Sequence, residues 1–480
     1  MRALPSYLYG IQVVWHTGSV SDTFLNRAGE LRALERVWRD PGARLVLVWG
    51  RRRTGKTRLL GRFVAGKRAI FYGATEQSSE AELRGLSQVS RESLQPSGGD
   101  LLALGDFPTW DAAFTYLGER ARRERIVVVL DEFPYLVEAE PALPSIIQRF
   151  WDHTGRRTKL RLVLCGSAQS FMEDLQSRRA PLFGRVDLRM QLQPFGYRDA
   201  ALFVPRLAPP ERAISYATLG GMPTYLTRWR DDVGHGANLR RLFGDATSPL
   251  IEEGEFVLSS ELPEGAGYFR ILRAIASGHR TYGAIRTFAD IEIDRQLDRL
   301  VRIGLVERVV PATEDPTRTR RAVYRIADNF LAFWFRFIYR RRSDIARGLG
   351  IEVVARTIIP RFPDYMGEPW EEMGREHMRG LAARNALPVP VSSIGRWWNK
   401  DHSVEIDIVG VQGRTVVLAG SVKWARRVGR SELQRLRRAV EALPDRAEDV
   451  QLVLMARDHV DGVQPSEAMI VTAPDLYRTT

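Results

Sequence analysis

Apolar residues recur along this chain in three rhythms, and each predicts its own architecture. Residues 45–49 (LVLVW), 126–130 (IVVVL) and 160–165 (LRLVLC) are short apolar runs, as expected of strands buried on both faces of a parallel sheet. Helical stretches lie between them, which predicts a doubly wound α/β domain with loops gathered at the strands' C-terminal ends. Further along, Phe269, Leu272 and Ile275 keep helical spacing until Gly278, and a second helix spans about Tyr282–Ala289. A third helix puts Ile293, Leu297, Leu300 and Val301 on one face. Gly304 follows, then a strand through Val306, Val309 and Val310, a loop over 311–321 and a return strand Val323–Ile326. Three helices and a hairpin predict a winged helix-turn-helix. In the last third, 404–408 (VEIDI) alternates with period two, and a tight Gln412-Gly413 turn leads into 415–424 (TVVLAGSVKW). A helix from Ser431, with Gln434 completing a capping box, would bury Leu433, Leu436, Val440 and Leu443. A strand at 450–455 completes a second α/β layout.

The first apolar strand runs straight into Gly50-Arg51-Arg52-Arg53-Thr54-Gly55-Lys56-Thr57, which fits GxxxxGK[ST]. Arg58 and a helix to about Val64 follow. Such a loop wraps phosphates with backbone N–H groups and adds the positive potential of a helix N-terminus. Lys56 is placed for the β- and γ-phosphates and the Thr57 hydroxyl for Mg²⁺, so ATP and Mg²⁺ are the expected cofactors. An accidental glycine turn is the competing reading, and the flanking strand and helix argue against it. The 126–130 strand ends in Asp131-Glu132. Asp131 is placed to hold Mg²⁺ through water and Glu132 to polarise the attacking water. The 160–165 strand ends in Gly166-Ser167, which sets Ser167 at the same edge, able to sense the γ-phosphate or the water.

Composition narrows the class. At 480 residues the chain is long enough for three or four domains. No apolar run approaches a membrane span, the first 20 residues lack a secretory layout, and Cys165 is the single cysteine, which excludes an internal disulfide and a cysteine zinc site. A cytoplasmic protein with no membrane partner is the expectation. The net charge of +13 favours a polyanionic partner, most simply nucleic acid, against the alternative of solvated arginine-rich faces. The lysines are Lys56, Lys67, Lys159, Lys400 and Lys423, so lysine is rare and two of them fall in chemical motifs.

The motifs together resemble the archaeal-type ATPase family, P-loop proteins related to the AAA and STAND groups. Phe24-Leu25-Asn26-Arg27-Ala28-Gly29-Glu30-Leu31 resembles its FxxRxxEL motif, which leaves Arg27 and Glu30 to steer the adenine or the opening segment. Pro181-Leu182-Phe183-Gly184-Arg185 resembles its PLxGR segment, and Pro194-Phe195 the turn that follows. Leu219-Gly220-Gly221-Met222-Pro223-Thr224-Tyr225-Leu226 resembles its GGxPxYL motif in a helical lid. The resemblance implies an adenine nucleotide with Pro223 near the base or ribose. It makes Arg185 a candidate charge-stabilising residue, in cis or across the interface of a homo-oligomer; an ordinary salt bridge is the other reading. The expected division is an ATPase core over 1–195, the lid over 196–262, the winged helix over 263–330 and a restriction-endonuclease-like domain over 331–480.

On the third helix Arg295, Arg299 and Arg302 share the face opposite the apolar stripe, where a recognition helix meets duplex DNA. The loop 317–321 (TRTRR) brings Arg318, Arg320 and Arg321 to the wing tip, suited to phosphates. A winged helix used for protein contact is the alternative. The segment Tyr324–Phe337, with Asn329, Phe330 and Trp334, resembles the family's junction to a PD-(D/E)xK domain, in which two acids bind Mg²⁺ and a lysine activates water. Asp407 and Lys423 fit that pattern. Ser421 stands where the resemblance implies glutamate, and serine brings no charge to a cation. Glu371 or Glu405 would have to supply the acid, or the domain binds without cutting.

Overall fold

The computed structural model describes residues 25–96, 100–262 and 266–478; Phe24 of the opening motif and the N-terminal stretch bearing on a leader lie outside them. The chain divides after Gln193 into two compact units.

The first unit is built on a five-stranded parallel sheet. Its strands are β1 (Arg44–Trp49), β2 (Ala69–Gly73), β3 (Ile126–Asp131), β4 (Leu160–Gly166) and β5 (Leu188–Gln191), in the order β2-β3-β4-β1-β5. Alternate residues serve opposite faces. Leu45, Leu47 and Trp49 join one apolar core with Val128, Leu130 and Leu162, while Val46 and Val48 join another with Val127, Val129 and Val163. Both faces are therefore dry, which is why these strands read as unbroken apolar runs. One exception is informative. Arg161 interrupts β4 yet is fully buried, because its guanidinium donates to Val37 O at 2.8 Å, to Trp38 O at 3.1 Å and to the carbonyls of Asp40 and Gly42. It thereby satisfies the C-terminal carbonyls of the helix Ala28–Arg39. Burial, with Arg125 and Arg44 nearby, pulls its pKa down to about 10.

The second unit opens with the helices Pro209–Leu219, Pro223–Leu226, His235–Phe243 and Glu253–Glu261. The helices Ala266–Ala276, Tyr282–Ala289 and Asp294–Arg302 follow, then the antiparallel pair β6 (Val306–Val309) and β7 (Val323–Ile326). A helical stretch over 329–365, kinked at Gly348, leads to the helix Gly367–Ala383. A second five-stranded sheet comprises β8 (Ser393–Trp398), β9 (Glu405–Gln412), β10 (Thr415–Val422), β12 (Arg446–Met455) and β14 (Met469–Val471), with the short pair β11 (Arg427–Val428) and β13 (His459–Val460) beside it. Its order is β14-β12-β10-β9-β8, antiparallel from β8 to β10 and parallel from β10 to β14. Met373 and Met378 of the helix 367–383 pack with Ile408, Leu418 and Val453 on one face. Leu433, Leu436 and Val440 of the helix Arg430–Val440 pack with Ile406, Val409 and Leu454 on the other. The sheet is thus a middle layer between helices. One apolar core runs from Phe195 to Leu476 and takes in the helices and one face of this sheet, while the helix 430–440 closes a separate core on the other face.

The expected capping box at Ser431 does not form. The helix starts at Arg430 with an extended Gly429 as its N-cap and no side-chain cap, which leaves Ser431 inside the first turn.

Candidate nucleotide site and carboxylate–lysine cluster

The phosphate-binding loop is shaped by its glycines. Gly50 leaves β1 at φ 153°, and a Cβ there would lie 2.3 Å from the Leu192 carbonyl oxygen. Gly55, at φ 89°, starts the helix Lys56–Val64. Both conformations favour glycine, and together they turn the backbone from strand into helix. Thr54 Oγ1 donates to Arg51 O at 2.8 Å, tying the loop across its own turn. The buried Lys56 ammonium donates to Gly50 O at 2.8 Å and Arg51 O at 3.0 Å. Arg27, predicted to steer the adenine or the opening segment, reaches the loop's backbone: it donates to Thr54 O at 3.2 Å and Gln193 O at 2.6 Å, and pairs with Glu30 at 2.8 Å.

β4 lies between β1 and β3, and the register sets their C-terminal ends side by side, with Trp49 opposite Gly166 and Leu130 opposite Leu164. This geometry brings the predicted acidic element to the loop. Thr57 Oγ1 donates to Asp131 Oδ2 at 2.7 Å. The hydroxyl and carboxylate are hard oxygen ligands of the kind Mg²⁺ takes, beside the lysine that would meet phosphate, so these residues fit Mg-ATP. Glu132 occupies a left-handed backbone conformation at φ 52°. Ser167 grips its carboxylate twice: Oγ donates to Oε1 at 2.5 Å and the backbone N–H to Oε2 at 3.1 Å. Ser167, a faint signal in the sequence, thus proves to fix the orientation of Glu132. Cys165 is fully buried behind them, its thiol pKa pushed well up by burial and then by the Asp131 charge.

The other residues predicted for this site are placed as follows. Arg52 donates to Tyr135 OH at 2.9 Å. Arg53 sits in the left-handed region at φ 69°, and Arg58 is half-buried on the first turn of the helix 56–64. Arg185 makes a bidentate ion pair with Asp152, at 2.9 and 2.6 Å, and donates to the Pro181 and Phe183 carbonyls. The salt bridge is therefore its partner in this structure, and it holds the Asp152 carboxyl below the usual range. Pro223 opens the helix 223–226 in the second unit.

The structure draws a second cluster together at the ends of β9 and β10. Asp407 Oδ2 accepts from the Val422 backbone N–H at 2.7 Å and from Lys423 Nζ at 3.1 Å. Ser421 Oγ lies 3.5 Å from the same oxygen and donates to Glu432 Oε1 at 2.7 Å. Glu432 was not among the predicted residues, yet it is buried on the helix 430–440, 3.8 Å from Lys423 Nζ. The helix 430–440 thus brings a carboxylate against Ser421 and Lys423. Its sequence signal was an acidic residue adjoining the stripe Leu433, Leu436 and Val440. Glu371 pairs with Arg375 at 3.6 Å, and burial, with Asp407 next, raises its pKa to about 7. Glu405 lines the same cleft as Asp407 but is exposed and pairs with His402 at 3.7 Å. Asp407, Ser421, Lys423 and Glu432 line a cleft of about 800 Å³ whose walls carry Arg427, Arg435 and Arg438. Among the described residues no group of three or more His, Cys, Asp and Glu is gathered as a metal cluster.

On the helix Asp294–Arg302, Arg295, Arg299 and Arg302 are exposed, while Leu297 and Leu300 are buried. Of the wing tip expected at 317–321, Arg321 needs correction. Pro311 bridges Arg396, Ala312 N–H donates to Arg396 O at 2.8 Å, and Arg321 pairs with Glu314 and donates to the Trp398 carbonyl. Arg321 is thereby committed to holding the loop against β8. Arg318 and Arg320 remain exposed, the former 3.6 Å from Asp315.

Comparison with known proteins agrees with the first unit's geometry. Residues 24–228 match a family described as an ATPase domain predominantly from Archaea, and residues 334–436 match a family of archaeal and bacterial proteins of unknown function. An uncharacterized protein of Methanocaldococcus jannaschii is 28% identical over 407 residues, 84% of this chain and 87% of that one. An uncharacterized ATP-binding protein of the same organism is 47% identical over 45 residues, 9% of this chain and 76% of that one. A solved Walker-type ATPase of Pyrococcus abyssi shares the fold with a TM-score of 0.50 at 20% identity, over 65% of this chain and 96% of its own. The chain therefore carries an archaeal-type ATPase domain on an α/β fold with a parallel sheet. Among the described residues no helix is long and apolar enough to cross a membrane.

Proposed function

We propose that this chain is a Mg-ATP-driven switch or motor that acts on duplex DNA. The observation that carries the nucleotide half is the 2.7 Å bond from Thr57 to Asp131, which joins the loop's hydroxyl to the acid at the end of β3. Thr57 and Asp131 would hold Mg²⁺, which would neutralise phosphate charge when bound. The chain's own groups do the rest. Lys56 exchanges its bonds to the Gly50 and Arg51 carbonyls for phosphate oxygens. Glu132 orients a water and takes its proton as the water oxygen bonds to the γ-phosphorus and the β–γ bridge bond breaks, with ADP carrying away the electron pair. Ser167 keeps the Glu132 carboxylate aimed through that step.

The DNA half rests on the basic helix. Arg295, Arg299 and Arg302 are exposed on one element and make no ion pair among the described residues, although Asp294 and Asp298 share their helix. We read residues 263–330 as a winged helix, 196–262 as the lid and 331–480 as a restriction-endonuclease-like domain. Arg185 is then a charge-stabilising residue once released from Asp152. Phosphate release from Mg-ATP with and without duplex DNA tests the reading, with Lys56→Ala as control. Stimulation that vanishes in Lys56→Ala is expected. Turnover indifferent to DNA would turn the basic helix toward a protein partner.

A second reading has its own observation. Glu432, 2.7 Å from Ser421, gives the Asp407–Lys423 pair the second acid that a metal-dependent DNA endonuclease needs. Plasmid cleavage with Mg²⁺ or Mn²⁺ that is lost in both Asp407→Ala and Glu432→Gln is the expected result. Cleavage unaffected by either substitution would remove this reading.

A further inference from the structure

Seven arginines lie between residues 334 and 361, and the structure sorts them. Arg342 pairs with Glu255 and stacks on Trp334 and Tyr339; Arg347 pairs with Asp344 at 2.5 Å, and Arg356 with Glu352 at 3.0 Å. Arg336, Arg340, Arg341 and Arg361 make no ion pair among the described residues, and all four line one open cavity of about 460 Å³. Asp344 is the one carboxylate in its wall, and Arg347 already claims it. Four guanidinium groups around one hollow repel one another, and among the described residues no ion pair of their own offsets that cost. The chain neutralises its other arginines in this stretch, so leaving these four uncompensated is selective.

The lining also says what fits. Its aromatic residue, Phe335, is 3% exposed and offers no face on which a base or a peptide side chain could stack. No apolar slot accompanies the charge among the lining residues, so recognition rests on positive charge set against phosphate oxygens. The cavity is bounded on one side by Ala276 and Ser277, the end of the helix 266–276, which belongs to the same run of elements as the basic helix 294–302. Arg336 additionally donates to the Ala276 carbonyl at 3.4 Å.

We propose that this cavity is a sequence-neutral docking site for consecutive phosphates of a duplex DNA backbone. It is a site separate from the helix 294–302, and it stands whether or not that helix reads bases.

The test is duplex binding by the full chain over a range of salt concentrations. Three proteins are compared with wild type: Arg340→Ala/Arg341→Ala/Arg361→Ala, the same positions changed to Lys, and Arg295→Ala/Arg299→Ala/Arg302→Ala. Each lost phosphate contact lowers the log–log salt slope by about 0.9, so the first variant's slope falls by about 2 to 3 for any duplex sequence. The lysine variant keeps the slope, because charge suffices for a backbone contact. The urea midpoint of the second unit, unchanged from wild type, reports that each variant is folded. A cavity variant whose slope equals wild type overturns the proposal, whatever the helix variant does. Wild type that binds anionic vesicles but no duplex overturns it also, in favour of a membrane surface. Loss of slope in the cavity variant with none in the helix variant keeps this site and removes the helix from the proposed function.

Discussion

Among the described residues Ser167 hydrogen-bonds Glu132 and no other group of the nucleotide site, and that is its importance. A carboxylate held through both oxygens loses rotational freedom, so its base strength is delivered in one direction. Ser167→Ala removes the 2.5 Å bond and leaves the backbone bond at 3.1 Å. The expected result is kcat for phosphate release lower by about tenfold, with KM for ATP unchanged, because binding rests on the loop and Lys56. A raised KM with kcat intact would place Ser167 on the substrate instead. Glu132→Gln should lose about 10²- to 10⁴-fold in kcat while still binding ATP, measured by nucleotide titration. The placing of Glu132 and Ser167 at one sheet edge was legible in the sequence, because each sits two residues beyond an apolar run, but the hold of Ser167 on Glu132 was not. Glu432 was not: it meets Ser421 across 11 residues of chain, from a helix whose rotation only packing decides. Arg321 misled for the same reason, since nothing in TRTRR says that one arginine turns back toward β8.

Elements carry the next set of consequences. β1, β3 and β4 follow from apolar periodicity, whereas β2, β5, β8 and β14 were not read from it, and Arg161, second in LRLVLC, looks like an error until the helix end that it caps is seen beside it. Gly50→Ala tests how tightly the loop is seated between β1 and β5, because the added methyl meets Leu192 O in a backbone conformation unfavourable to alanine. A loss of about 2 kcal/mol or more in the first unit's stability is expected, read as a lower urea midpoint, together with weaker ATP binding. A normal midpoint would show that the strand ends yield easily. On the helix 367–383, burial raises the Glu371 carboxyl to about 7, against an ordinary value of 4.5. The folded state then keeps this proton where the unfolded chain has released it. Its contribution is fully present below pH 4.5 and disappears as pH rises through 7. Glu376, raised to about 7 by burial and then Glu372, acts in the same sense. Urea unfolding at pH 5 and pH 8 should show the second unit weaker at pH 8, and Glu371→Gln should remove on the order of 1–3 kcal/mol of that difference. An unchanged pH dependence in Glu371→Gln would mean that the carboxyl is solvated when folded.

For the whole molecule the question is whether the nucleotide does work on DNA, and thermodynamics supplies a test that needs no structure of a complex. If Mg-ATP changes the affinity for duplex by some factor, duplex must change the affinity for Mg-ATP by the same factor. Glu132→Gln is the protein to use, since it should hold ATP without consuming it and so allow both equilibria to be reached. Duplex affinity with and without saturating Mg-ATP gives one factor; Mg-ATP affinity with and without saturating duplex gives the other. A switch or motor predicts equal factors of about 5 to 150, corresponding to about 1–3 kcal/mol of coupling. Lys56→Ala should return the DNA factor to one, because the loop can no longer distinguish its ligand-bound state. Factors of one in both directions would leave an ATPase and a DNA-binding unit on a single chain with no energy passing between them, and the motor reading would fall while each activity stood.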